Sequence, residues 1–315
     1  MAGLRGKALI AYLLVCTVWG STYLFIRIGV AHLPPFLFAG VRFLVAGLLL
    51  GAIVLSLGIR LPSRAKDWRT LAITGVFLLC GANAILVWSE QFVASGIASV
   101  FVAVMPLWSA FFDAIWPGGK TPLTWRIGVG LAIGFLGSAL LAGITPHELA
   151  TADLRGPIAL TFGSACWALG SVYWKRNPTD VSPYAAAAVQ MAIAGAILCV
   201  VGLTLGEAPD FHLRGTGLAA MAYLIIMGSL VGYTAFGYAL EHGSATVVGT
   251  YAYVNPVVAV LLGWLVLHEP ITGRMLAAMA LILGAVVWIQ LAARPAHARS
   301  AEPVRALRRR YPADA

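Results

Sequence analysis

Ten uninterrupted apolar runs of about twenty residues each decide what this chain can fold into. They fall at about 8–30, 35–57, 69–90, 96–117, 125–143, 156–174, 183–205, 215–240, 244–267 and 273–292. At the helical rise of 1.5 Å per residue, about twenty residues cross a hydrocarbon core of roughly 30 Å. Inside that core the chain must satisfy its own backbone polar groups, which only helices and closed barrels achieve. A barrel would alternate apolar and polar residues over segments of about ten, and these runs do not alternate. The expected fold class is an all-α polytopic membrane protein with ten transmembrane helices. Composition agrees: the 315-residue chain is 60% hydrophobic and 10% charged, against about 25% charged in soluble domains. Soluble globular, disordered and nucleic-acid-binding classes are thereby excluded. The first run is as long as the others and has no polar cleavage region, so it reads as a retained helix rather than a signal peptide. The four cysteines lie inside runs and read as small apolar residues, not as a disulfide framework.

The Lys and Arg residues orient the chain. The two ends and the connections 2–3, 4–5 and 6–7 hold 16 of them, while the opposite connections hold only Arg155, Arg214 and Arg274. By the positive-inside rule both termini are expected in the cytoplasm, in a multi-pass protein of the cell (inner) membrane. The net charge of +9 is thus an orientation signal, and no nucleic-acid partner is expected. Residues 293–315 read as a disordered basic cytoplasmic tail.

The chain also matches itself at an offset near 150. Cys16-Thr-Val-Trp-Gly-Ser-Thr-Tyr23 lies over Cys166-Trp-Ala-Leu-Gly-Ser-Val-Tyr173, and Val104-Met-Pro106 over Val254-Asn-Pro256. Ala46-Gly47 lies over Ala194-Gly195, which sets Arg42 opposite Gln190. Residues 1–145 (helices 1–5) and 155–292 (helices 6–10) are therefore read as two repeats. An odd number of helices per repeat forces the second to enter the membrane inverted. Inverted repeats are a signature of secondary transporters, in which two related halves expose one central site alternately to each side.

Four stretches carry a family likeness: VWGSTYLFIRIG (18–29), AGVRFLVAGLLL (39–50), SGIASVFVAVMPLWSAF (95–111) and TYAYVNPVVAVLLGWLVLHEPIT (250–272). On these the chain resembles the EamA-domain transporters of the drug/metabolite transporter superfamily. The resemblance implies a ten-helix exporter of amino acids or other small metabolites. It also implies a central cavity lined by helices 1–4 and 6–9, with helices 5 and 10 peripheral. One departure is visible. Glu269 follows helix 9, whereas the equivalent GGKTPLT after helix 4 has no acid, so a symmetric role for that acid is not expected.

Polar and aromatic residues within the spans are the candidate substrate contacts, since an unpartnered polar group there is costly. Pro106 and Pro256 occupy matched places in helices 4 and 9. Each frees a carbonyl one turn earlier, as a substrate ligand or merely as a packing kink. Trp19 and Ser21 on helix 1, and Trp167 and Ser171 on helix 6, offer aromatic walls beside small residues, or simple helix packing. Asn83, Trp88, Gln190, Tyr251 and Asn255 complete the substrate-binding candidates, the alternative for each being an interhelical hydrogen bond. Arg42 and Glu90 lie in the outer halves of helices 2 and 3. They are expected to pair as a structural or gating bridge, with capture of a substrate carboxylate by Arg42 as the competing reading.

Absences narrow the function further. No His and no acid sits at mid-depth in any span, so neither a metal site, a cofactor site nor an intramembrane catalytic cluster is expected, and an enzyme is disfavoured. Glu90 is the candidate for proton coupling. Gly119-Lys120-Thr121 ends like a phosphate-binding loop but lacks the first glycine and a preceding strand. The expectation is a secondary active or facilitative exporter of amino acids or other small polar metabolites. A drug or organic-cation exporter is the alternative, which the missing mid-depth acid opposes.

Overall fold

The computed structural model describes residues 6–115, 125–141, 153–242 and 251–292. Among them the chain is helical and contains no strand. The helices are α1 (Lys7–Val30), α2 (Pro35–Ser56), α3 (Ala65–Ser89), α4 (Ser95–Val102 and Met105–Ile115), α5 (Trp125–Leu141), α6 (Arg155–Arg176) and α7 (Pro183–Thr204). Then come α8 (Gly215–Tyr223, Leu224–Val231 and Gly232–His242), α9 (Tyr251–Leu267) and α10 (Gly273–Ala292). Five helical stretches, Lys7–Val30, Pro35–Ser56, Ala65–Ser89, Pro183–Thr204 and Gly215–Phe236, are long and apolar enough to cross a membrane by themselves. The chain is a polytopic helical membrane protein built from two inverted five-helix repeats. The tail 293–315 lies outside the described residues.

The repeats share local punctuation. α2 and α7 both open on a proline at the first helical position, Pro35 and Pro183. There the missing N–H is no loss and the fixed φ suits a helix. α3 and α8 both widen to π-helix in mid-span, over Val76–Ala84 and Leu224–Val231. No proline or glycine pair marks these widened turns in advance.

Packing shows the inversion. α2 lies antiparallel on α7, with residues 37, 40, 44 and 47 facing 202, 199, 195 and 192. A Cβ added to Gly47 would lie 2.4 Å from the Ala192 amide nitrogen, and one on Gly195 2.2 Å from that of Leu44. Lipid offers no hydrophobic drive for helices to associate, so backbones close on one another where residues are small. α5 also packs antiparallel on α10, Gly134 toward the side chains of Leu107 on α4 and Ala285, and Gly137 toward that of Ile282. Gly134 and Gly137 of α5 thus pack within the molecule, whereas Gly128 meets nothing within 4 Å. The remaining neighbours exchange under the repeat: α1 touches α8 and α9, as α6 touches α3 and α4.

On the face where α3 ends and α4 begins, hereafter the far face, two acids of the second repeat cap helices of the first. Glu207 accepts from the Phe36 and Leu37 amides at 3.2 and 2.7 Å. Glu269 accepts from the Ser95 amide and hydroxyl, each at 2.9 Å, and from the Gly96 amide at 3.1 Å. A carboxylate at a helix N-terminus satisfies orphan amides and meets the positive end of the helix dipole. Glu269 is therefore a cap on α4. On the opposite, near face an exposed Arg64–Asp180 pair at 2.5 Å joins the 2–3 and 6–7 connections, worth at most about 1 kcal/mol.

The close approach of α2 and α7 makes a direct prediction. Gly47→Leu must push backbone apart and is expected to destabilise by about 1–3 kcal/mol or more, read as a lower melting temperature in detergent. Gly51→Ala, whose Cβ meets nothing within 4 Å, should leave melting unchanged.

Candidate functional site

Between the repeats lies a cavity of about 80 Å³, lined from α1, α2, α3, α4, α6, α8 and α9. That is room for several water molecules. α7 contributes no lining residue, because its glycine face is occupied by α2.

One wall is aromatic. Trp19 stands at its centre and donates its indole N–H to the Gly228 carbonyl at 3.1 Å. Around it lie Phe236, Tyr251, Tyr233 and Trp167, with ring centroids at 5.0, 5.1, 5.7 and 6.2 Å. The Tyr233 hydroxyl is buried in the cavity wall with no hydrogen-bond partner. With its amide oriented so that nitrogen faces the acceptors around it, Asn255 donates to the carbonyls of Cys16 and Tyr251 at 3.1 and 3.2 Å, fixing α9 against α1.

Beside the aromatic cluster the cavity is cationic: a Cβ on Gly228, whose carbonyl accepts from Trp19, would lie 3.1 Å from the Arg42 guanidinium. Arg42 is 3% exposed and lines the cavity. Its Nε donates to the Ser229 hydroxyl at 3.2 Å and its Nη1 to the Asn83 Oδ1 at 3.4 Å. Its guanidinium also lies 4.7 Å from the centroid of the Phe43 ring. Asn83 belongs to the π-segment of α3 and Ser229 to that of α8, so the two matched widened turns converge on one guanidinium. Such widened turns recur at functional sites. Two of the five guanidinium N–H donors are thereby used.

The expected Arg42–Glu90 bridge does not form. Among the described residues neither side chain takes part in an ion pair. Arg42 turns to the neutral acceptors of the π-segments instead, and both carboxylate oxygens of Glu90 are buried without a partner. The cavity therefore holds a buried positive charge and, among its lining residues, no acid.

Among the sequence candidates, Trp19, Asn83, Trp167, Tyr251, Asn255 and Arg42 meet in the cavity. Others do not. Ser21 bonds the Tyr223 hydroxyl at 2.6 Å, and Ser171 bonds its own helix at Trp167. Gln190 donates to Thr74 at 2.8 Å in the α7–α3 contact, and Trp88 packs edge-on to Phe92. The prolines behave unequally. Pro256 lies inside the continuous helix α9, whereas α4 breaks after Val102 and Pro106 falls in the first turn of its second piece. The residues one turn earlier, Ala252 and Val102, both line the cavity, and each carbonyl lacks the amide that proline cannot supply. Sequence reasoning missed Ser229 and Ser164. Ser164 carried a faint signal, since it shares a helical face with Trp167 three residues on.

Comparison with known proteins follows the same lines. Residues 6–143 and 154–291 each match the EamA-like transporter family. The chain is 38% identical over 275 residues to the uncharacterized inner membrane transporter YedA of Escherichia coli K12, covering 87% of each. It is 26% identical to the uncharacterized transporter YvbV of Bacillus subtilis, covering 90% of each. It is also 26% identical to the protein PecM of Dickeya dadantii, covering 87% of this chain and 89% of that one. One protein of known crystal structure superposes with a TM-score of 0.63 at 22% identity, over 92% of this chain and 99% of that one; this likeness concerns the fold.

The Arg42 environment is testable through stability. Ser229→Ala strands the buried Nε and should cost about 1–3 kcal/mol, seen as a lower melting temperature. Arg42→Met removes the uncompensated charge and should leave melting unchanged or raise it.

Proposed function

Because the chain belongs to the EamA-like transporter family, we propose that it exports small carboxylate-bearing metabolites, amino acids foremost, by alternating access of the central cavity. In this reading the near face, with both termini, is cytoplasmic in a cell (inner) membrane, as the Lys/Arg bias requires. Transport is secondary or facilitative, and the chain performs no catalysis.

The observation that carries the substrate class is the buried guanidinium of Arg42 on the cavity wall, without an acid among the lining residues. A desolvated cation held by neutral acceptors is complementary to an anion, and a guanidinium meets a carboxylate bidentately. The free Tyr233 hydroxyl is a further donor on the same cavity, and the Val102 and Ala252 carbonyls supply acceptors for an ammonium group. The rings about Trp19 add cation–π attraction for that ammonium. A zwitterion thus finds both its charges answered.

The aromatic wall by itself also suits an organic cation, which is the second reading. Arg42 opposes it, since like charges in a desolvated cavity repel strongly.

Efflux from proteoliposomes separates the two. Amino acids and related carboxylates should be carried, and Arg42→Gln should lower their flux at least about tenfold, the equivalent of roughly 1.4 kcal/mol. Transport of lipophilic cations instead, undiminished in Arg42→Gln, would overturn the proposal.

A further inference from the structure

Glu90 ends α3 on the far face and is fully buried, with neither carboxylate oxygen hydrogen-bonded. The adjacent Ser89 hydroxyl is likewise buried and unpartnered. An ionised carboxylate stripped of water and of every donor is among the costliest groups a fold can carry, whereas the neutral acid is tolerated.

The surroundings explain why this acid stays unpaired. α1, α2, α6 and the remainder of α3 pack about the end of α3. From α1, Arg27 donates to the main-chain carbonyl of Glu90 instead of to its carboxylate, and the phenol of Tyr23 lies within electrostatic reach. From α2, Arg42 is engaged by Ser229 and Asn83. Glu269 is near enough to act on Glu90 by its charge, but its oxygens are taken by Ser95 and Gly96. At the start of α6, Arg155 is bidentate to Asp153 and lies over the Phe92 ring. It holds the Asp153 carboxyl below the ordinary carboxylate range. The whole is sealed by Val93, which packs so closely on Gly156 that a Cβ there would stand 2.2 Å from it.

We infer that Glu90 is a proton-binding site that gates the far face: closure over Glu90 takes up one proton, and opening releases it as the carboxylate meets water and Arg27. The inference rests on the alternating-access reading for its role in transport. The sign follows from linkage. The closed state binds the extra proton, so low pH favours closure, and the open fraction grows about tenfold per pH unit while Glu90 titrates. An acidic exterior would then close the gate behind a departing solute. Arg27, displaced by one main-chain bond from the carboxylate, is the ready counter-charge for the open state.

The test reads conformation, not flux. In a background with the native cysteines replaced by alanine, Ser89→Cys reports access to the sealed pocket. Its labelling by a membrane-impermeant maleimide is normalised to that of the exposed Gln91→Cys, which cancels the thiolate chemistry. Relative labelling should rise with pH in proteins keeping Glu90, and should be low and flat with pH in Glu90→Gln. Should Glu90→Gln fail to fold, Arg27→Gln serves instead, moving the midpoint up by about 1–3 pH units as the favourable cation is lost. Flat labelling with Glu90 present, the same pH dependence in Glu90→Gln, or an unmoved midpoint in Arg27→Gln would overturn the inference. A protein that shows the gate but moves no solute in liposomes leaves the gate standing and refutes the transport reading alone.

Discussion

α2 and α7 meet backbone to backbone at Gly47 and Gly195, and close again at Gly40 and Gly202 against the backbone and side chains of Cys199 and Leu37. Much of the central architecture depends on that approach. In lipid there is no water to expel from between helices, so contact area must come from close packing of small residues. The two glycines at matched places in the repeats, Gly47 and Gly195, each close on the other helix. The join between repeats is thus itself two-fold. It also sets Arg42, two residues past Gly40, beside the Phe43 ring and within reach of α3 and α8.

From that placement the site follows. α3 and α8 each widen into a π-segment at matched positions, and each offers one neutral acceptor to the same guanidinium. Symmetry ends at the side chains. Arg42 points into the cavity, whereas its mate Gln190 is spent on Thr74 at the α7–α3 contact. A duplicated scaffold thereby carries an asymmetric cavity, lined by one guanidinium and a cluster of aromatic rings.

Much of this was legible in the sequence, for identifiable reasons. Spans are written in runs of apolar residues, and the repeats in Cys16/Cys166, Gly47/Gly195 and Pro106/Pro256. Trp19, Trp167, Tyr251, Asn83 and Asn255 stood out because polar and aromatic groups in a span need an explanation. The same reasoning also selected Ser21, Ser171 and Gln190, since composition cannot tell a group that faces a cavity from one already satisfied by its own turn or by a neighbouring helix. The pairing of Arg42 with Glu90 was the economical assumption for two buried opposite charges. It failed because Ser229, 187 residues away, is brought to Arg42 by a π-segment that no residue type announces. The break of α4 ahead of Pro106, against the unbroken α9 around Pro256, was equally hidden: proline permits both outcomes, and tertiary packing selects.

In the proposed transport cycle, Arg42 holds the carboxylate of the solute in the central cavity. The melting temperature of the purified protein with amino acids, each paired with its own carboxamide, isolates that contact. Acids should raise the melting temperature and their amides should not, and Arg42→Gln should abolish the difference. Equal stabilisation by acid and amide, or stabilisation by acids that survives in Arg42→Gln, would contradict this role of Arg42.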